Sequence, residues 1–293
     1  MKKRSLIGYV FIAPWLIGLF AFTLYPMIYS LCISFTDWPL VGEPHFIGWK
    51  NYVDMFSDKN FVQSLKVTGA YVLMSVPAQV ILSILIAVLL NQNIRGRGVF
   101  RTIFYLPAVV GGVATYTLWQ FIFNTDFGLI NSCLYMLGVA QGPKWLQSTQ
   151  LALPSLSIMS LWGVGSNMVI YLAGLQSIPR TYYEAASIDG ARAFRKFFSI
   201  TLPLLTPTIF FNLIMTIIAS FQTFTQAMVM TKGGPGNATL FYVLYLYKNA
   251  FSYFKMGYAS ALAWFLFVIV VALNVVIFAT SKRWVYYQGG ETK

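Results

Sequence analysis

The chain has 293 residues, 58% of them hydrophobic and only 10% charged, whereas a soluble domain carries roughly 25% charged residues. That excludes a soluble enzyme, a disordered chain and a disulfide scaffold, because the two cysteines, Cys32 and Cys133, lie in or beside apolar stretches. A net charge of +12 would suggest nucleic acid in a soluble protein, but here Lys and Arg sit in short segments between apolar runs, as in membrane proteins, and no nucleic-acid partner is expected.

A bilayer core of roughly 30 Å needs about 20 helical residues, and a backbone in lipid must satisfy its own hydrogen bonds. Six stretches without Asp, Glu, Lys, Arg or His meet that length: 5–34, 67–90, 103–123, 151–175, 205–230 and 257–281. The expected fold is all-α, a single polytopic membrane domain of six transmembrane helices. Lys2-Lys3-Arg4 opens the first stretch, whose apolar run is about twice that of a signal peptide, so it reads as a retained helix. Prolines fall inside the spans at Pro14, Pro26, Pro77, Pro107, Pro154 and Pro207, which neighbouring helices can accommodate. With the N-terminus inside, thirteen of the twenty Lys and Arg residues fall on the inner side, so both termini are expected to be cytoplasmic. Segments 36–66 and 124–150 are then outside, and 176–204 is the longest inside segment.

Catalytic chemistry is missing. The single histidine, His45, is in an outside loop, and no metal-ligand spacing occurs, so no metal site is expected. The chain lacks a G-x-x-x-x-G-K-[ST] phosphate loop. Gly163-Val164-Gly165-Ser166 lacks a histidine base in any span and reads as close helix packing through small residues. Spans without ionisable groups also argue against a proton relay or voltage sensor. The chain is expected to bind or pass a solute, driven by a partner.

The inside segment is the most informative. After Pro179, residues 180–188 should form a helix ended by Asp189-Gly190, with Gly190 left-handed. A second helix from about Ala191 places Arg192, Arg195, Lys196 and Ser199 on one face and Phe194, Phe197, Phe198 and Thr201 on another. Such faces suit a bilayer interface. The first helix, small-faced at Ala185 and Ala186 with the lone acid Glu184, suits docking into a protein groove. Glu184 could also pair with Arg192 across the turn.

Glu184-Ala185-Ala186, three residues, Gly190, nine residues, Ile200, one residue and Leu202-Pro203 resembles the EAA loop of binding-protein-dependent ABC importer permeases. Ile188-Asp189-Gly190-Ala191 with Thr201-Leu202-Pro203-Leu204 is similar to the carbohydrate branch. So are the tract from Thr231 to Thr239 with Met256 to Ala261, and Phe11-Ile12-Ala13-Pro14 with Tyr25-Pro26 and Phe35-Thr36-Asp37-Trp38. The resemblance runs along nearly the whole chain, without the large outside domain inserted in the maltose subunit. It implies a type I importer permease forming half of a heterodimeric pathway in a bacterial inner membrane. Its implied partners are a second permease, two ATP-binding-cassette subunits that carry ATP and magnesium, a solute-binding protein and the lipid bilayer; no cofactor is expected on this chain.

Carried over by position, Glu184, Ala185, Ala186 and Gly190 become the ATPase-coupling residues. Ser220, Phe221, Gln222, Thr223, Phe224 and Gln226 in span five, with Trp162, Ser166 and Asn167 in span four, become the substrate path. Hydroxyls, amides and aromatic faces there suit a neutral sugar; the same groups could simply hydrogen-bond helix to helix. Ser220 and Thr223 stand where the maltose subunit has asparagines, which implies a different ligand. Gly233, Gly234 and Pro235 become candidates for binding-protein docking. The expected function is ATP-driven import of a sugar, oligosaccharide or glycoside. Glycerol phosphate or another small polar solute is one alternative, and a self-sufficient channel or facilitator is a second.

Overall fold

The computed structural model describes residues 2–39 and 42–286. Helix α1 (Lys2–Leu19) passes through a π turn (Phe20–Leu24) into α2 (Tyr25–Ser34). A two-residue ladder follows, β1 (Thr36–Asp37) antiparallel to β2 (His45–Phe46), with Thr36 opposite Phe46. Then come α3 (Lys50–Ser57), α4 (Lys59–Leu90), α5 (Arg97–Val109), α6 (Val113–Ile122), α7 (Leu129–Met136) and α8 (Ala152–Ser160). A 3-10 turn (Leu161–Gly163) leads to α9 (Gly165–Gln176) and α10 (Arg180–Ile188). Next, α11 (Ala193–Lys196) runs through a π turn (Phe197–Thr201) into α12 (Leu202–Phe221), followed by α13 (Thr225–Met230), α14 (Tyr242–Tyr247) and α15 (Met256–Ser281).

Among the described residues, four unbroken helical runs are long and apolar enough to cross a membrane: Phe11–Ser34, Lys59–Leu90, Ala193–Met230 and Met256–Ser281. Two bent pairs, α5 with α6 and α8 with α9, bring the number to six if each pair is one span. The third stretch, 103–123, is therefore not the single straight helix its composition suggests. It turns through 103° between α5 and α6, because Gly112 takes φ +85° and ψ −156°, a conformation open essentially to glycine alone. The fourth bends by 49° at Val164. The first stretch, and the run Ala193–Met230 that contains the fifth, each have a π turn two residues ahead of a proline, Pro26 and Pro203. A proline has no N–H for the carbonyl four residues back, and a π turn is one way a helix changes register around such a gap.

The chain forms two compact units. One comprises the described residues of 1–61 and 245–269, the other those of 62–244 and 270–293. In the first, Asn51 Nδ2 donates to the Ser34 and Thr36 carbonyls, both at 2.9 Å. The Met256 N–H donates to the Trp38 carbonyl, and Trp264 Nε1 to Ser30 Oγ. Gly257 lies so close to the Thr36 carbonyl that any Cβ would collide with it. Phe56, Phe61 and Phe265 pack edge to face beneath.

In the second unit, Ala87, Leu90, Met168, Tyr171, Leu175 and Leu205 belong to one buried cluster joining α4, α9 and α12. Gly165 abuts the Phe104 carbonyl, the close approach that small residues permit between helices. Polar hydroxyls such as Ser64, Thr68 and Ser83 are buried, while Phe11, Phe22, Leu73 and Val275 are exposed. A surface this apolar is what a lipid solvent requires.

Candidate translocation cavity and coupling loop

A cavity of ≈480 Å³ lies in the second unit. Its walls come from α4 (Tyr71, Gln79), α5 (Pro107), the α5–α6 break (Gly111, Gly112), α6 (Thr115, Tyr116), α8, the 3-10 turn and α9 (Ser160, Trp162, Ser166, Asn167), and α12, α13 and the break between them (Thr216, Ser220, Thr223, Gln226). None of its lining residues is Asp, Glu, Lys, Arg or His. Tyr71 OH donates to Gln226 Oε1 at 3.3 Å, and Gln226 Nε2 donates to the Leu156 carbonyl at 3.0 Å. Gln79 Nε2 donates to Ser160 Oγ at 3.1 Å and Asn167 Nδ2 to Thr216 Oγ1 at 3.2 Å. Trp162 meets Trp119 edge to face, with ring centroids 5.8 Å apart. The wall thus offers amides, hydroxyls and aromatic rings without fixed charge, a set suited to an uncharged polyhydroxylated solute.

Six of the nine substrate-path candidates line this cavity: Trp162, Ser166, Asn167, Ser220, Thr223 and Gln226. Gln222 is exposed, Phe221 is buried elsewhere, and Phe224 is half-buried outside the lining. The i, i+3 and i, i+4 spacing across 220–226 assumes an unbroken helix, but α12 ends at Phe221 and α13 starts at Thr225. Gln222 falls in the break, at the C-cap of α12, and so does not share a face with Gln226. Gln226 and Asn167 each tie one helix to another, so interhelical bonding and cavity lining coexist in the same side chains. Tyr71, Gln79, Thr216 and the Gly111-Gly112 pair were not singled out from sequence. Their signal was available: uncharged polar groups and a double glycine inside otherwise apolar stretches.

The loop 176–204 holds the coupling candidates. Pro179 caps α10, and Gly190 ends it with φ +76°. The Ala191 N–H donates back to the Ala186 carbonyl at 2.8 Å, a helix stop of the left-handed glycine kind. Glu184, Ala185 and Gly190 are exposed, Ala186 half-buried. Among the described residues, Glu184 has no ion pair, with Arg192 or otherwise. The loop's shape comes instead from a Tyr183–Thr201 hydroxyl bond at 3.0 Å and from Lys196 Nζ donating to Ser187 Oγ at 2.6 Å. The second helix does not stop before span five: α11, the π turn and α12 are continuous. The π turn rotates Ser199 away from the position that an ideal α-helix would give it.

Gly233, with φ +92°, is buried, and Gly234 and Pro235 are half-buried. Thr239 Oγ1 pins this turn through the Gly234 carbonyl at 2.6 Å and Thr231 Oγ1 at 2.7 Å. The accessible tip is therefore Gly236-Asn237. Gly234 and Pro235 also line a separate cavity of ≈630 Å³ with Gln120, Phe121 and Phe127.

In the first unit, Asp58 accepts hydrogen bonds from both Tyr245 and Tyr258. Partial burial raises its pKa, but those bonds and the Asn60 and Phe61 N–H groups outweigh it and leave the carboxyl below its ordinary value. Burial first, then Asp58, pushes Tyr245 up to about 12.

Residues 57–284 match the family of binding-protein-dependent transport system inner membrane components. The chain is 48% identical to a probable ABC transporter permease, YesP of Bacillus subtilis, over 99% of this chain and 95% of that one. It is 35% identical to the trehalose/maltose transport system permease MalF of Thermococcus litoralis (96% and 95% covered) and 34% identical to AmyD of Thermoanaerobacterium thermosulfurigenes, a probable permease for starch degradation products (96% of each). Among solved structures, a bacterial ABC transporter involved in import of the acidic polysaccharide alginate superposes with a TM-score of 0.84 at 23% identity, 96% of each chain covered, which establishes the shared fold. The chain therefore belongs to the inner-membrane components of binding-protein-dependent transport systems, as a membrane-spanning permease of the ABC importer class and not an enzyme.

Proposed function

We propose that this permease forms one half of the pathway of an ATP-driven importer for a neutral sugar, oligosaccharide or glycoside. The observation that carries this reading is the uncharged, amide-, hydroxyl- and aromatic-lined cavity, in a chain whose relatives include permeases named for maltose, trehalose and starch products. Another relative, UgpA of Agrobacterium fabrum at 33% identity, is a permease for sn-glycerol 3-phosphate. A phosphate favours a cation nearby, and the cavity lining has none, which favours the neutral solute. In this reading a second permease completes the pathway, and two separate ATPase subunits hold ATP and magnesium. Exposed Glu184, Ala185 and Gly190, with Ala186, would dock on an ATPase subunit, which puts both termini in the cytoplasm. A solute-binding protein would meet the outer loops, the turn at Gly233, Gly234 and Pro235 among them. ATP and the loaded binding protein act by favouring one of two pathway states over the other.

The test is to purify the chain from its native membrane with its companions and assay proteoliposomes. Expected are co-purification with a second permease and an ATPase, and sugar uptake that requires both ATP and a binding protein. Uptake by the chain alone would overturn the proposal.

A further inference from the structure

We propose, on the sugar reading of this permease, that the cavity of ≈630 Å³ lined by Gln120, Phe121, Asn124, Phe127 and Gln147 is a second subsite for a neutral sugar unit, a staging point beside the first cavity. None of its lining residues is Asp, Glu, Lys, Arg or His. Phe121 is 55% exposed and Phe127 59%, with ring centroids 5.4 Å apart. Three amides stand beside these rings, each held at one end only. Gln120 Nε2 donates to the Val229 and Met230 carbonyls, both at 3.0 Å. Asn124 Oδ1 accepts the Asp126 and Phe127 N–H groups, and Gln147 Oε1 accepts the Thr125 hydroxyl at 2.6 Å. The opposite ends, Gln120 Oε1, Asn124 Nδ2 and Gln147 Nε2, have no partner among the described residues.

The lining and its neighbour name the occupant. A lipid tail would cover the rings and leave three amide ends unpaired, which is unfavourable, and a charged group would find no counter-charge. A sugar satisfies both surfaces at once, its C–H face on a phenyl ring and its hydroxyls on amide donors and acceptors. The cavity is also stacked on the first. On α6, Tyr116 lines the first cavity and Gln120 the second; on α13, the corresponding pair is Gln226 and Met230. Each pair is four residues apart, about 6 Å of helix, and α6 packs on α13. Aromatic rings join the two cavities. Trp119 meets Trp162 of the first at 5.8 Å and Phe123 of the second at 5.2 Å, and its indole N–H is buried without a partner among the described residues. Gly234 and Pro235 also line the second cavity. A binding protein seated on their turn would therefore release its sugar here, one helical turn from the main cavity.

Two reporters test this in the intact transporter, with the subunits it brings along, in nanodiscs. Thr117→Cys probes the second cavity and Ser166→Cys the first, both at exposed lining positions, each in a background where the exposed Cys32 and Cys133 are replaced by serine. Maleimide labelling of this chain is timed with and without a panel of neutral disaccharides and trisaccharides, maltose, trehalose, cellobiose and maltotriose among them. A sugar that slows labelling of Ser166→Cys should also slow Thr117→Cys. The pair Phe121→Leu/Phe127→Leu should need roughly tenfold more sugar for the same protection at Thr117→Cys, the loss of two ring contacts, with protection at Ser166→Cys unchanged. Phe121→Tyr/Phe127→Tyr should behave as the parent. Protection at Ser166→Cys alone would overturn the second subsite and leave the sugar reading standing, whereas protection at neither position would overturn both. Slowing of Thr117→Cys by sugar-free binding protein, with no effect of sugar itself, would assign the cavity to that protein and also overturn the subsite.

Discussion

Gly112 shows how far a single backbone angle shapes the cavity. With φ +85° and ψ −156° it occupies a region that a Cβ forbids, yet open space surrounds it, as it does the adjacent Gly111, which has an ordinary φ. Gly112→Ala should therefore cost about 1–3 kcal/mol through backbone strain alone and distort the cavity wall, while Gly111→Ala should be nearly silent. Thermal midpoints and uptake rates of the two variants side by side check this; equal effects would refute it. Asp58 makes a different prediction. Its carboxyl is lowered in the folded protein from about 3.9 in the unfolded chain, so its contribution is fully present above about pH 4 and is lost as pH falls through the folded value. Tyr245, pushed up to about 12, keeps its donor proton across that whole range. Asp58→Asn should lower the thermal midpoint at neutral pH and flatten the acid loss seen in the parent below about pH 4. A variant whose midpoint parallels the parent at every pH would show that the carboxylate contributes nothing.

At the scale of elements, the sequence speaks clearly where one physical rule acts alone. Helix α10 runs from Arg180 to Ile188 with the cap at Pro179 and the stop at Gly190, because proline and glycine fix backbone angles irrespective of surroundings. The breaks at Gly112, Val164 and Gln222–Phe224 were not legible from composition, since a run of apolar residues specifies length and not straightness. The same limit explains the candidate site. Ser220, Thr223 and Gln226, which stand out as uncharged polar residues in an apolar stretch, line the cavity. Gln222, grouped with them by helical spacing, lies at the C-cap of α12 and outside the cavity lining, because periodicity cannot see a helix end that tertiary packing imposes. The coupling helix yields its own prediction. Glu184 is exposed and, among the described residues, free of an ion pair, so Glu184→Lys should change the stability of the fold by no more than about 0.5 kcal/mol. If α10 docks on an ATPase, the variant should insert normally but lose the ATPase on purification or hydrolyse ATP without transport. Unchanged, coupled transport by Glu184→Lys would remove the docking assignment.

At the scale of the whole molecule, the proposed pathway takes the second wall of the cavity from another permease. Trp162 and Met215 both line it and are nevertheless 45% and 52% exposed. Large apolar groups beside uncharged amides are poorly matched to lipid on one side and to a solute path on the other, and a partner permease laid across them would resolve the mismatch. Expressed alone, the chain should insert but aggregate readily on extraction, because an open apolar-and-polar face is a ready association surface. Co-expressed with the second permease proposed above, it should gain thermal stability through linkage, since a partner that binds only the folded state stabilises it by mass action. Tryptophan fluorescence gives a direct reading, because Trp162 lines the cavity and meets Trp119 edge to face. Its emission should shift to shorter wavelength when the partner covers the cavity, and Trp162→Phe should abolish most of that shift while leaving assembly intact. A Trp162 signal that is blind to the partner would mean that the second wall lies elsewhere, and that this cavity is open to lipid and not part of a shared path.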